Sequence, residues 1–245
     1  VHLALDVPAL LQALEAVGLE ELAGGCLQLA SAAEDRLAYL QRPDLGRCLS
    51  EASRALLKTR GRAVVVDPKS GADVDVDAKK QAVHEASTPA CDLAFVLADG
   101  LSARAVMQNA APLLATLWPR LAADGLSFAP LTIVTQARVA IGDEIGQLLG
   151  ASLVVVLIGE RPGLSSPDSL GAYLTWRPRV GLRDDSRNCV SNIRLAGLGH
   201  AVAAAKLHAL IAAMRQRQLS GVRLKDESPG AAALASGRPQ PSLPD

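Results

Sequence analysis

Three short runs in the second half of the chain, Leu93-Ala-Phe-Val-Leu-Ala98, Leu131-Thr-Ile-Val134 and Leu153-Val-Val-Val-Leu-Ile158, are apolar without alternation. A strand with one face in water alternates; a strand covered on both faces does not. The first run breaks at Asp99-Gly100 and continues as a helical pattern through Ala103, Val106, Met107 and Ala110, with Leu113, Leu114 and Leu117 beyond. The second is followed by a helical stretch from Ala140 to Leu149, and the third runs into Gly159-Glu-Arg-Pro-Gly163. Strand, tight turn and helix in repetition predict an α/β fold with a doubly wound, mostly parallel, Rossmann-like sheet. Tyr173 to Trp176 is a further short strand candidate, and Ala196 to Gln218 reads as a long closing helix.

Upstream, residues 1–60 read as an N-terminal α/β segment. Leu10, Leu11, Leu14, Val17 and Leu22, with Pro8 near the start, predict a helix over Leu3–Leu22 that Gly24-Gly25 ends. Cys26 to Leu29 is a brief strand candidate. Asp44 to Lys58 is a second helix with Leu45, Leu49, Ala52 and Leu56 on one face and Asp44 as its cap. Residues 61–90 form a hairpin-like insertion, in which Val64-Val65-Val66 and Val74 flank Asp67-Pro-Lys-Ser-Gly71. Its Asp73, Asp75 and Asp77 lack the glycine and closing glutamate of a calcium loop and read as a solvated face. Residues 91–225 form the core. Residues 226–245, rich in Pro, Gly and Ala, hold too little apolar surface to offset their ordering entropy and read as a disordered tail.

Composition removes several functions. Twenty-five basic and twenty-five acidic residues leave a net charge of zero, so no global field draws the chain to nucleic acid or an anionic bilayer. Two Phe, two Tyr and two Trp are too few for base-stacking platforms. No apolar run approaches the ~20 residues that span a bilayer, and the chain opens with no secretory signal. Cys26, Cys48, Cys91 and Cys189 are scattered without CxxC spacing, as free thiols of a cytoplasmic protein are. The dinucleotide fingerprint, the P-loop and the nucleophile elbow are absent, and the four histidines form no metal pair.

Open parallel sheets bind ligands beyond the carboxyl ends of their strands. That rule selects Asp99-Gly-Leu-Ser102, the turn Gln136-Ala-Arg-Val139, and the long loop Gly159 to Gly171 with its Glu160 and Arg161. Cys189 lies in the polar run Asp184-Asp-Ser-Arg-Asn-Cys-Val-Ser-Asn192, with Arg187 close enough in sequence to lower a thiol pKa. Nucleophile, ligand-wall residue and plain buried thiol all remain open for it.

Taken in order, Ala98-Asp-Gly-Leu-Ser102, Ala111-Pro-Leu-Leu114, Arg138-Val-Ala140, Gly142-Asp-Glu-Ile-Gly146, Gly159-Glu-Arg-Pro-Gly-Leu-Ser165 and Arg187-Asn-Cys-Val-Ser-Asn-Ile-Arg194 resemble the small (light) subunit of ethanolamine ammonia-lyase. So does Tyr39-Leu-Gln-Arg-Pro-Asp-Leu-Gly-Arg47, and the likeness runs from residue 1 to about 225. The resemblance implies a subunit, inactive alone, that joins a large (heavy) subunit in holding adenosylcobalamin for conversion of ethanolamine to acetaldehyde and ammonia. It also implies a location in the cytoplasm or in a bacterial microcompartment, and a further N-terminal stretch ahead of the segment matching Val1. By motif, its cofactor contacts fall on Val139, Glu160 and Cys189. No D-x-H-x-x-G signature is present, so base-on binding is expected. The rival from another class is a structural assembly subunit without cofactor contacts; a third is a stand-alone enzyme binding an anion at the helix N-terminus after Gly100.

Overall fold

Strand β4 (Cys91–Ala98) sends Leu93, Phe95 and Leu97 to one face of a sheet and Ala94, Val96 and Ala98 to the other, and all six are buried. The computed structural model describes residues 3–20, 22, 25–60, 65–66, 73–74, 89–163 and 166–224. Among them, β1 (Leu27–Ala30), β4, β5 (Thr132–Thr135), β6 (Ala151–Gly159), β7 (Leu170–Trp176) and β8 (Asn188–Ile193) make one six-stranded sheet in the order β1-β5-β4-β6-β7-β8. Two short strands, β2 (Val65–Val66) and β3 (Asp73–Val74), pair antiparallel within the segment read as a hairpin. Residues 61–64, 67–72 and 75–88 of that segment, and the tail over 226–245, lie outside the described residues.

Helices lie over both faces. Helices α1 (Val7–Glu15), α4 (Ala103–Ala123) and α6 (His200–Arg217) pack Leu10, Leu14, Leu113, Leu117, Leu207 and Met214 on the first face. On the second, α3 (Glu51–Arg60) and α5 (Ile141–Leu149) pack Leu57, Ile141, Ile145 and Leu149 against Val134, Val154, Val156 and Ile158. A short α2 (Arg36–Gln41) lies between β1 and α3 in the chain.

The fold is thus mixed α/β, and the expectation of a mostly parallel sheet holds for β1, β5, β4 and β6. Beyond β6 it changes: β7 runs antiparallel to β6, and β8 antiparallel to β7. The link between β6 and β7 is only residues 160–169, with no helix among its described residues, and a parallel neighbour needs a longer crossover, usually helical. Three local expectations also change. The first helix ends at Glu15 in a turn with Gly18 at φ +79°, although Leu19 and Leu22 stay in the same core. The helix expected over Asp44–Lys58 is interrupted: a 3-10 turn covers Leu45–Arg47, Leu49 bridges to Ser31 and donates its N–H to Glu144 Oε2 at 2.9 Å, and α3 begins at Glu51. Asp44 caps nothing and instead holds Arg42. The polar run around Cys189 begins as a 3-10 turn, Asp184–Ser186, and continues as strand β8.

Candidate functional site

The carboxyl ends of β4 and β5, where ligands would be sought first, are filled by the chain itself. Asp99 is buried, accepting the Ala137 N–H at 3.1 Å on one oxygen and facing Arg36 at 3.4 Å on the other. Desolvation raises its pKa; the N–H groups of Gln136 and Ala137 and the charge of Arg36 oppose that rise. Tyr39, fully buried, sits between two guanidinium groups, with Arg36 4.6 Å and Arg138 4.3 Å from its ring centre, and its hydroxyl donates to the Ala137 carbonyl at 3.1 Å. Cations over an aromatic face attract it, so this cluster is a packed plug rather than a cleft.

The ends of β4 and β6 also touch. Leu101 N–H donates to Gly159 O at 2.9 Å, and a Cβ on Gly159 would lie 2.0 Å from Ser102 O. Ser102 caps α4 by accepting from Ala105 N–H and donates to Pro167 O at 2.8 Å. The first turns of α4 are therefore tied to the link between β6 and β7, at Pro167 by Ser102 and at Asp168 O by Asn109 Nδ2.

Open surface is found further along the second face. Helices α3 and α5 cover β4, β5 and β6; over β7 and β8, Tyr173 is half-buried and Cys189 exposed. Tyr173 and Cys189 are cross-strand partners, so their side chains share a face. At the end of β6, Glu160 turns over Gly171: its Oε2 accepts from Ser169 Oγ at 2.5 Å and from Asn192 N–H at 3.3 Å. A Cβ on Gly171 would lie 2.8 Å from Glu160 Oε1, so only glycine leaves the carboxylate this place. An open depression continues from Cys189 past Ser191 and Asn192 to Gly197 and Lys206.

Glu160 and Cys189 are therefore brought together through Tyr173. Val139, in the turn between β5 and α5, is half-buried and packs at the edge of the same apolar cluster as Tyr173, without a polar contact to the other two. That turn is held rigidly: beyond the two bonds to Ala137, Arg138 N–H donates to Gly46 O at 2.7 Å. The Tyr39 to Arg47 motif supplies both Tyr39 and Gly46, which is its physical role.

Arg187, close enough in sequence to lower the thiol pKa, does not serve the thiol in the structure. Its guanidinium is turned to Asp143 and Asp184. The Cys189 pKa is raised by desolvation, which outweighs the lowering effect of the Tyr173 hydroxyl, while the Glu160 charge adds to the rise. A thiol held in its protonated form is no nucleophile. Tyr173, Ser169 and Asn192 were missed as site residues. The signal for Tyr173 was available: in Leu170-Gly-Ala-Tyr-Leu, period two sends Gly171 and Tyr173 opposite to Leu170, Ala172 and Leu174.

A mixed α/β chain with rigid strand-end turns and an uncovered antiparallel edge is the class these features define. Comparison with known proteins narrows it. A family profile for the ethanolamine ammonia-lyase light chain matches residues 1–74 and 63–225, two stretches that overlap within the segment read as an insertion. The chain is 49% identical over 229 residues to the ethanolamine ammonia-lyase small subunit of Pseudomonas putida (strain W619), covering 93% of this chain and 74% of that one. It is 50% identical over 228 residues to that of Azotobacter vinelandii (strain DJ / ATCC BAA-1303), with the same coverage. With that of Pseudomonas fluorescens (strain Pf0-1) it shares 49% over 228 residues, 93% of this chain and 73% of the relative. The chain belongs to the ethanolamine ammonia-lyase light chain family and is the small subunit of a lyase.

Proposed function

We propose that this subunit, with a large subunit that carries the substrate chemistry, holds adenosylcobalamin for the conversion of ethanolamine to acetaldehyde and ammonia, in the cytoplasm or a microcompartment. The observation that carries the reading is the open strip formed by Glu160, Tyr173 and Cys189. The corrin is a broad disc, apolar on its faces and fringed with amides. The chemistry of the strip fits such a group: Glu160 Oε2 is taken by Ser169 and Asn192, while Oε1 over the bare Gly171 is left to accept an amide N–H. Tyr173, Cys189 and Val139 offer apolar and polarisable contact and exclude water. When bound, the cofactor supplies radical chemistry through its cobalt–carbon bond; the chain's own part is to orient and shield it. Helices on both faces of the parallel strands support the Rossmann-like reading of the core. No described helix is long and apolar enough to cross a membrane.

The test is binding of cyanocobalamin to the complex reconstituted with the large subunit, measured by equilibrium dialysis. Glu160→Ala is expected to weaken the Kd by about 10- to 100-fold, or roughly 1.4–2.8 kcal/mol. One observation favours the scaffold reading, since both bonds to Oε2 are internal. An unchanged Kd in a fully assembled variant would decide for that reading.

A further inference from the structure

Asp143 stands in the first turn of α5, one helical turn after Val139, and Arg187 stands two residues before Cys189. Their side chains meet in a direct ion pair in which each is only 3% exposed. The same guanidinium donates to Asp184 Oδ1 at 2.9 Å and to Leu182 O at 3.3 Å, so it is gripped from the helix on one side and from the β7–β8 connection on the other. Two further contacts join the same elements. Val180 N–H donates to Gln147 Oε1 at 3.0 Å, and α5 sits so closely on the connection that a Cβ on Gly146 would lie 2.5 Å from Pro178 Cγ. Helix α5 and the approach to β8 are thus one packed unit, with the ion pair at the end nearest Val139 and Cys189.

A buried ion pair is a weak source of stability, because desolvating two charges offsets most of their attraction, and well-packed apolar residues of similar volume often serve as well. What it adds is direction: a guanidinium and a carboxylate tolerate little change in distance or angle. We infer that Asp143 and Arg187 are positioning residues, whose pairing sets the separation between the turn bearing Val139 and the strand bearing Cys189, and so the fit of the cofactor rim. This rests on the proposed reading of that rim. It also accounts for the Gly142-Asp-Glu-Ile-Gly146 and Arg187-Asn-Cys motifs, which the cofactor contacts alone do not explain.

The experiment uses the complex with the large subunit and measures both thermal unfolding and cyanocobalamin binding. In the double variant Asp143→Leu/Arg187→Met the melting temperature is expected to stay close to the parent, while the Kd weakens at least tenfold. Asp143→Glu keeps the charge and the fold but lengthens the arm by one methylene, and is expected to weaken binding severalfold. Parental affinity in either variant would overturn the inference and leave the pair a packing feature. Glu160→Ala is the control: if it too binds cyanocobalamin normally, the rim reading has failed rather than the positioning role alone.

Discussion

Gly171→Ala is the smallest change that reaches the proposed rim without touching a side chain already there. The new Cβ would stand 2.8 Å from Glu160 Oε1, 3.1 Å from Glu160 Cγ and 3.0 Å from Tyr173 Cε2. Two of these atoms belong to one flexible side chain, so relief comes by swinging the carboxylate outward and giving up the bonds from Ser169 Oγ and Asn192 N–H. Hydrogen bonds to charged groups contribute about 1.5–3 kcal/mol each where water is excluded, and less at a half-exposed site where water replaces them, so a net loss of about 1 kcal/mol is expected. Alanine restricts the unfolded chain and returns about 0.4–1 kcal/mol. The two nearly cancel, and the melting temperature should move by no more than about 4 °C in a chain of this size. Cofactor binding has no such offset, since the carboxylate no longer lies where an amide would meet it. Equilibrium dialysis with cyanocobalamin should show a Kd raised about tenfold, equivalent to ~1.4 kcal/mol. Unchanged affinity would show that the location of Glu160 is immaterial to binding, and a fall in melting temperature beyond about 8 °C would refute the claim that Glu160 yields freely.

Two other perturbations address the framework. Tyr39→Phe leaves the ring between Arg36 and Arg138 but orphans the buried Ala137 carbonyl; calorimetry should show about 1–2 kcal/mol of lost stability. Burial pushes the Asp143 carboxyl up to about 6, against the lowering effect of Arg187 and with a smaller contribution from Asp184. A carboxyl whose folded pKa exceeds its unfolded value of about 3.9 adds stability that is full below the lower value and lost as pH rises through the upper one, so this group does not promote acid unfolding. Its protonation does discharge the pair with Arg187. Cyanocobalamin affinity should therefore fall as pH drops from about 7.5 to 5.5, and in Asp143→Asn the profile should flatten around pH 6; a parental profile in that variant would remove Asp143 as the titrating group.

Local order was legible because it is written in periodicity. Unbroken apolar runs foretold strands buried on both faces, and Leu113, Leu114 and Leu117 foretold the face of α4 that packs inward. The strand-end rule marked the Gln136–Val139 turn and the Glu160 loop, and motif likeness marked Val139, Glu160 and Cys189 and with them the family. Asn188–Ile193 gave no such signal, because an edge strand with one uncovered face buries only Val190 and Ile193 and reads as a polar run. Nor could any local pattern foretell that β7 would turn back on β6, that Tyr173 would face Cys189, or that Arg187 would leave the thiol for Asp143. Period and composition belong to neighbours in the chain, and these suffice for strands, helices and core. Register, strand direction and the partner of a buried charge are fixed by hydrogen bonds and packing between residues far apart in sequence, and those exist only once the chain has folded.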